Sequence, residues 1–187
     1  KEYENEGGWA AQGNLNVQLS DFGTLNLQGR YVSEGFGGLE DGVADRAKDN
    51  FKAYSVTTNL ELGKFFPEKA KVSAPLYYSR TQEESSPKYN PLDTDLRLKD
   101  ALDAANRQER DSIKSIAIRR TTNTNFSLSN VRIGIQNKRH PMPYDPANFS
   151  FSYSNSSRFT SGETTVYERE NNWRAAMAYN WTPVYKP

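Results

Sequence analysis

Cysteine is missing from all 187 residues, which excludes disulfide frameworks, thiolate metal sites and cysteine nucleophiles. Histidine is nearly missing too. His140 stands alone in the turn Lys138-Arg-His-Pro-Met-Pro143 and reads as a solvated turn residue rather than a triad base or metal ligand. Net charge is scarce: 24 basic and 23 acidic residues leave +1, which offers no electrostatic footprint for nucleic acid. Hydrophobic residues make up 35% of the chain, and its mean hydropathy is −0.87. No apolar run approaches the roughly 18 residues that a membrane helix needs. These figures exclude a helical membrane protein. They leave a transmembrane barrel open, because only alternate residues of a barrel strand meet lipid.

What the chain does have is alternation. Leu15, Val17 and Leu19 interleave with Asn14, Asn16, Gln18 and Ser20. Leu25 and Leu27 interleave with Thr24, Asn26 and Gln28, and Trp173, Ala175, Met177, Tyr179 and Trp181 with Arg174, Ala176, Ala178 and Asn180. Successive side chains of a strand point to opposite faces, so this pattern builds a sheet with one apolar and one polar surface.

Seven strands are expected on this pattern, near residues 9–19, 24–32, 52–62, 69–79, 123–133, 148–154 and 165–181. Ser20-Asp21-Phe22-Gly23 and Gly63-Lys-Phe-Phe-Pro-Glu68 read as turns, and residues 33–50 as a Gly- and Asp-rich loop. Pro75 removes a ladder donor from the fourth strand, which predicts a bulge or a weakly paired neighbour there. In the fifth strand the apolar phase changes from Phe126 and Leu128 to Val131 and Ile133. One extra residue near Ser129-Asn130, a β-bulge, would do this. Between strands four and five, residues 80–121 form an insertion. Leu96, Leu98, Ala101, Leu102 and Ala105 recur there at helical spacing, predicting a helix near 94–106 capped by Asp93 or Thr94, with a second short helix around 111–117. The start at Lys1, without Met or a signal-peptide core, and the ending Trp181-Thr-Pro-Val-Tyr-Lys-Pro187 are expected of an internal fragment.

Connection lengths alternate. The shorter ones follow strands one, three and five, and the longer ones follow two, four and six, as expected of a barrel with one short-looped and one long-looped rim. The competing architecture is a soluble β-sandwich or lipocalin-like barrel, which also needs alternation. Strand length separates them: bilayer-spanning strands have about 9–11 residues, globular ones about 5–6. On the apolar faces Trp9 to Leu19, Leu25 to Tyr31, Tyr54 to Leu62, Ala70 to Tyr78, Phe149 to Tyr153 and Trp173 to Trp181, leaving out the phase-shifted fifth strand, no charge occurs, and Thr58 is the only polar side chain. The expected lipid-facing set is Leu15, Val17, Leu19, Leu25, Leu27, Val56, Leu60, Leu62, Val72, Leu76, Ala175 and Met177. Trp9, Tyr31, Tyr54, Tyr78, Trp173 and Trp181 fall at or near strand ends, where an interfacial aromatic girdle belongs. The opposite, lumen-facing set is Asn14, Asn16, Gln18, Asn26, Gln28, Arg30, Glu61, Lys71 and Arg174.

Catalytic chemistry has no evident carrier. The acidic pairs Glu168/Glu170 and Asp93/Asp95 read as solvated loop charges. Gly35, Gly37 and Gly38 precede acidic residues in a loop, not a helix after a strand, so they do not cradle phosphate. The Asn-x-Ser/Thr triplets at Asn125, Asn148, Asn155 and Asn180 lie in Ser- and Asn-rich stretches where chance produces them. The residues call for no enzyme activity, cofactor or metal.

Several segments carry a family resemblance. Leu62-Gly-Lys-Phe-Phe-Pro67, Ala74-Pro-Leu-Tyr-Tyr-Ser79, Pro87-Lys-Tyr-Asn-Pro-Leu-Asp93 and Leu98-Lys-Asp-Ala-Leu-Asp103 resemble the SprA/Sov family, giant outer-membrane translocons of type IX secretion. Asn125-Phe-Ser-Leu-Ser-Asn-Val-Arg132 and Tyr144-Asp-Pro-Ala-Asn-Phe-Ser-Phe-Ser-Tyr153 extend the match. The loop motif is Tyr89, Asn90, Pro91, Leu92 and Asp93. The resemblance implies an all-β chain of antiparallel up-and-down strands, part of a very large transmembrane barrel with one short helical insertion. It implies a cell outer-membrane location, a role in protein transport and gliding motility, and passage of folded cargo through the lumen. The implied partners are the remaining strands of the same barrel, a PorV-type partner barrel on the lipid face, a plug protein, secreted cargo and the bilayer. Outside the resemblance, a surface binding module of sandwich type and a different porin or receptor barrel remain the alternatives.

Overall fold

The computed structural model describes residues 7–37, 47–136 and 139–183. Its centre is a single antiparallel meander of long strands. β1 (Ala10–Leu19) and β2 (Gly23–Val32) form a hairpin closed by a 3-10 turn at Ser20–Phe22. β3 (Asp49–Glu61) follows the 33–48 loop, whose middle, including Gly38, lies outside the described residues. β4 (Val72–Ser73) and β5 (Pro75–Pro87) come next, then a short hairpin of β6 (Tyr89–Asn90) and β7 (Asp93–Arg97). The helices α1 (Leu98–Ala104) and α2 (Arg107–Ala117) lead into β8 (Arg119–Ile133), β9 (Phe149–Gly162) and β10 (Thr165–Tyr179). The order across the sheet is β1-β2-β3-β5-β8-β9-β10, with β4 beside β8. Among the described residues the sheet is open, and β1 and β10 are its edges.

The bulge expected near Ser129-Asn130 is present. Pairing with β9 passes from Leu128↔Tyr153 to Val131↔Phe151, one residue out of register. Asn130 takes φ 51°, a left-handed conformation that asparagine tolerates, and its N–H donates to Ser152 Oγ at 3.0 Å. The extra residue keeps Phe126, Leu128, Val131 and Ile133 on one face.

Several boundaries differ from the sequence reading. The fourth strand does not run unbroken from 69 to 79: Glu68–Ala70 is a 3-10 turn, Lys71 is left-handed, and Ala74 separates β4 from β5. Pro75 opens β5 opposite Glu61, a first position where its missing N–H is tolerated. Glu61 holds this corner, because its Oε1 accepts from Gly63 N–H at 3.1 Å and Ala74 N–H at 2.7 Å. Gly63 is required, since a Cβ there would lie 2.1 Å from the Val72 carbonyl oxygen.

β9 extends through Gly162, not 154, and meets β10 at a two-residue turn, Glu163-Thr164. The long connection expected after the sixth strand is therefore absent, and the alternation of connection lengths fails at that one point. The insertion contracts to 88–118. Residues 93–97 are strand rather than helix, so α1 starts at Leu98 with no side-chain cap, while Asn106 gives α2 a full capping box with Glu109.

Buried apolar side chains are few. Ala74 lies in the break between β4 and β5, Leu98 and Ala101 are in α1, and Ala117 ends α2. Arg110 Nε ties α2 to α1 through the Leu102 carbonyl at 2.8 Å. No described side chain in the chain is fully buried. The long strands are one layer thick.

Candidate functional site

Residues paired across neighbouring strands share a face, so the registers assign every strand residue to one of two surfaces. One row runs Val17, Leu25, Thr58, Tyr78, Phe126, Asn155 and Trp173. The next row toward the 62–74 connection runs Leu19, Gly23, Leu60, Leu76, Leu128, Tyr153 and Ala175. Beyond it come Val131, Phe151 and Met177, and then Val72 with Ile133 and Phe149 with Tyr179. These residues, with Leu15, Leu27 and Val56, form one continuous aliphatic and aromatic band.

No described protein layer covers this band. Leu15 is 55% and Met177 73% exposed, and Trp173 is 69% exposed. The opposite face is mostly amide and hydroxyl, with Asn14, Asn16, Gln18, Asn26 and Gln28 on β1 and β2, then Ser55, Thr57, Ser79, Thr81 and Asn125, then Ser150, Ser152, Ser154 and Ser156 on β9, and it carries the charges Arg30, Glu83, Arg158, Glu168, Glu170 and Arg174. Ser55 and Thr81 hydroxyls meet across strands at 3.2 Å, and Ser156 donates to Asn125 Oδ1 at 2.8 Å. Arg30 stacks its guanidinium over Phe51 on this face, 5.9 Å from the ring centre.

Of the residues picked from sequence for the apolar surface, Leu15, Val17, Leu19, Leu25, Leu27, Val56, Leu60, Val72, Leu76, Ala175 and Met177 share the banded face. Leu62 does not sit in a strand; it opens the 3-10 turn after β3. Of the polar set, Lys71 is in the turn before β4, not on the sheet, and Glu61 spends its carboxylate on the corner described above. Glu168 and Glu170 are strand residues, not loop charges; they lie on the polar face of β10, with Glu170 opposite Arg158. Asp93 and Asp95 are likewise within β7.

The aromatics correct one expectation. Tyr54, Tyr78 and Trp173 are inside their strands, because the strands run on past them. What they mark is the edge of the apolar band. Trp9, Tyr31, Tyr54 and Tyr78 climb obliquely across the hydrogen-bonding rows, and Phe126 and Trp173 then continue along the row of Tyr78. Measured in register along β1, Trp9 stands level with residue 9 and Trp173 level with Val17, a climb of eight residues over six strand-to-strand steps. With a rise of about 3.4 Å per residue and strands about 4.8 Å apart, the mean inclination of this line from Trp9 to Trp173 is roughly 43°, all of the climb falling between β1 and β5. Along β1 the ten residues from Trp9 to Leu19 then span about 25 Å normal to that line. Trp9 packs on Tyr31 at 4.4 Å between ring centres, and at the band's far edge Phe22 stacks on Phe65 at 5.2 Å and Phe149 on Tyr179 at 4.9 Å.

Sequence reasoning missed two kinds of residue. The first is the buried polar knots of the family-like loops. Asn148 Nδ2 donates to the Met142 and Pro143 carbonyls at 2.9 and 3.1 Å, Asp145 accepts from Met142 N–H at 2.8 Å, and Asn90 Oδ1 accepts from Leu92 N–H at 3.1 Å. Tyr179 closes the first knot by donating to the Pro143 carbonyl at 2.8 Å. The second is a set of charges, Lys52, Arg80, Glu84, Arg120 and Arg169, on the apolar face beyond the aromatic line. Continuing the parity of Tyr54 and Tyr78 through their strands would have found them.

A family model described as motility related/secretion protein, SprA_N, matches residues 1–102. That span holds the segments 62–67, 74–79 and 87–93 and most of 98–103; the segments 125–132 and 144–153 lie beyond it. No curated protein matches the chain.

Proposed function

Because the chain belongs to the SprA_N family of motility-related secretion proteins, we propose that its sheet is a section of the wall of an outer-membrane channel through which folded proteins are secreted in type IX secretion and gliding motility. The observation that carries this reading is the uncovered apolar band with its oblique aromatic border. A barrel's strands tilt by about 35–45° and its apolar band is about 25 Å tall. A border set perpendicular to the barrel axis crosses the hydrogen-bonding rows at the tilt angle; the mean inclination of roughly 43° and the span of about 25 Å match both dimensions, with the climb made between β1 and β5 and the border level from β5 to β10.

On this reading lipid covers Leu15, Leu27, Val56 and Met177, and the amide and hydroxyl face lines a hydrated lumen. Most side chains there are neutral amides and hydroxyls, and the charges among them, including Arg30, Glu83, Arg158, Glu168, Glu170 and Arg174, are of both signs, so the face presents no large field of one sign to a passing protein. The two open edges, β1 and β10, pair with further strands of the same barrel. A partner barrel on the lipid face and a plug protein remain part of the proposal through the family resemblance. The chain acts as wall and not as an enzyme.

Single-cysteine scanning in the full-length protein tests the reading. A membrane-impermeant maleimide is expected to label cysteines at Asn16, Gln28, Ser55 and Ser154 and to miss those at Leu15, Leu27, Val56 and Met177, which a lipid-soluble reagent reaches. Equal labelling of both sets in membranes, or a full-length protein that stays monomeric and folded in plain buffer, refutes it and favours a surface sandwich.

A further inference from the structure

We propose that the rim of this wall at the 33–48 and 88–118 end binds the phosphate headgroups of anionic lipids through Lys52, Arg80 and Arg169, an inference that rests on the lipid-facing reading above. All three side chains are exposed and lie on the same face as the apolar band. Each stands just past the aromatic line on its strand. Lys52 is the next same-face residue after Tyr54 on β3, Arg80 the next after Tyr78 on β5, and Arg169 the second after Trp173 on β10, with Asn171 between.

Among the described residues the strip is net positive. Of its two carboxylates, Glu84 is held by Arg120, with Arg120 Nη2 at 3.0 Å from Glu84 Oε2, and Glu34 accepts from Asn50 Nδ2 at 3.3 Å. The other same-face neighbours, Gln82, Thr122, Thr124, Asn155, Ser157 and Asn171, are neutral. Asp111 and Lys114 of α2, beside Arg120 and Phe159, balance each other. Lys52, Arg80 and Arg169 have no ion-pair partner among the described residues.

A cation on a surface that otherwise excludes charge needs a compensating anion at its own depth. Tyrosine and tryptophan rings sit at headgroup level, so the depth immediately beyond them is that of the lipid phosphates. Long basic side chains reach phosphate from there while their methylenes stay against the ring edge. Each Lys or Arg near an anionic surface strengthens attraction by about fivefold at low salt. At the opposite edge of the band the strand residues that end it are Leu19, Leu60, Ile133 and Tyr179, and the described lysines of that rim, Lys64, Lys69 and Lys71, lie in turns, not on the strands.

The test uses the full-length protein reconstituted in vesicles of phosphatidylcholine mixed with phosphatidylglycerol. A photo-crosslinking amino acid replaces Gln82, between Arg80 and Glu84, and in a second variant Leu15, within the band. Crosslinks at position 82 are expected to favour phosphatidylglycerol over its share of the mixture, and Lys52→Gln, Arg80→Gln and Arg169→Gln each to reduce that excess about fivefold. Crosslinks at position 15 should follow the bulk lipid ratio in every variant. If position 82 captures both lipids in their bulk ratio while position 15 still captures lipid, the headgroup inference is overturned and the barrel wall stands. If neither position captures lipid, the lipid-facing reading itself fails.

Discussion

A depth series along β1 puts the membrane reading at greatest risk. Ala11, Leu15 and Leu19 share the banded face of one strand, two, six and ten residues from Trp9. At about 3.4 Å per residue and a tilt near 43°, they lie roughly 5, 15 and 25 Å above the aromatic line. Arginine on a lipid-facing barrel strand costs about 2–4 kcal/mol at the midplane and about 0–1 near either interface. Leu15→Arg should therefore reduce the folded-to-unfolded ratio by roughly 30- to 900-fold, whereas Ala11→Arg and Leu19→Arg change it by about fivefold or less. Asn16→Arg, beside Leu15 but on the polar face, should be nearly neutral. The assay is the heat-modifiable, protease-resistant fraction of the full-length protein recovered from membranes, compared across the four variants. In water an arginine at a site 55% exposed like Leu15 would change stability by only about 0.5 kcal/mol. A flat profile from Ala11 to Leu19 would refute the bilayer reading, and so would a loss at Asn16 as large as that at Leu15.

Three further outcomes test the local architecture. Glu61→Ala strands the Gly63 and Ala74 N–H groups and should destabilise the 62–74 corner by about 1–3 kcal/mol, seen as faster protease cutting there; Glu61→Gln keeps the acceptor oxygen and should retain most of the protection. Asn130→Val forces a β-branched side chain into the left-handed bulge and should cost about 1–3 kcal/mol, whereas Asn130→Gly should fall within a few tenths of the parent in the same unfolding measurement. Asn148→Ala removes one donor from each of the Met142 and Pro143 carbonyls, which keep the Asp145 N–H and the Tyr179 hydroxyl, and should loosen the 134–148 connection by about 0.5–1.5 kcal/mol, read as accelerated amide exchange at Asn180, whose N–H donates to the Asn148 carbonyl at 2.8 Å.

The faces were legible in the sequence because alternation is a direct imprint of the pleat. Leu15, Val17, Leu25, Leu27 and Met177 read correctly without any knowledge of their partners, and the phase change between Leu128 and Val131 located the bulge. Strand ends were not legible, and the reason is physical. The apolar alternation stops where the band stops, while the backbone ladder continues beyond it. Arg80, Gln82 and Glu84 look like loop by composition, yet pairing with both β3 and β8 holds them extended. Ser154 to Gly162 was missed for a related reason: serine and asparagine are turn formers in isolation, but here β8 and β10 satisfy their backbone on either side. Residues 93–97 showed helical spacing from Leu96 onward, but Tyr89 pairs with Arg97 and draws the segment into a hairpin. Pairing across the sheet is information that no window of neighbouring residues contains. The polar knots at Asn90 and Asn148 were hidden likewise, since nothing in an Asn-Pro or Asn-Phe dipeptide says that its amide will be enclosed.

The meander has a consequence for how such a wall could change size over evolutionary time. Each long strand bonds to the long strands before and after it in sequence, β8 taking the two-residue β4 besides, and the short Glu163-Thr164 link shows how little chain a new hairpin needs. Duplicating or deleting one up-and-down pair would widen or narrow the circumference while leaving every other ladder intact. Calibre could thus be tuned in increments of two, with no redesign of a shared interior.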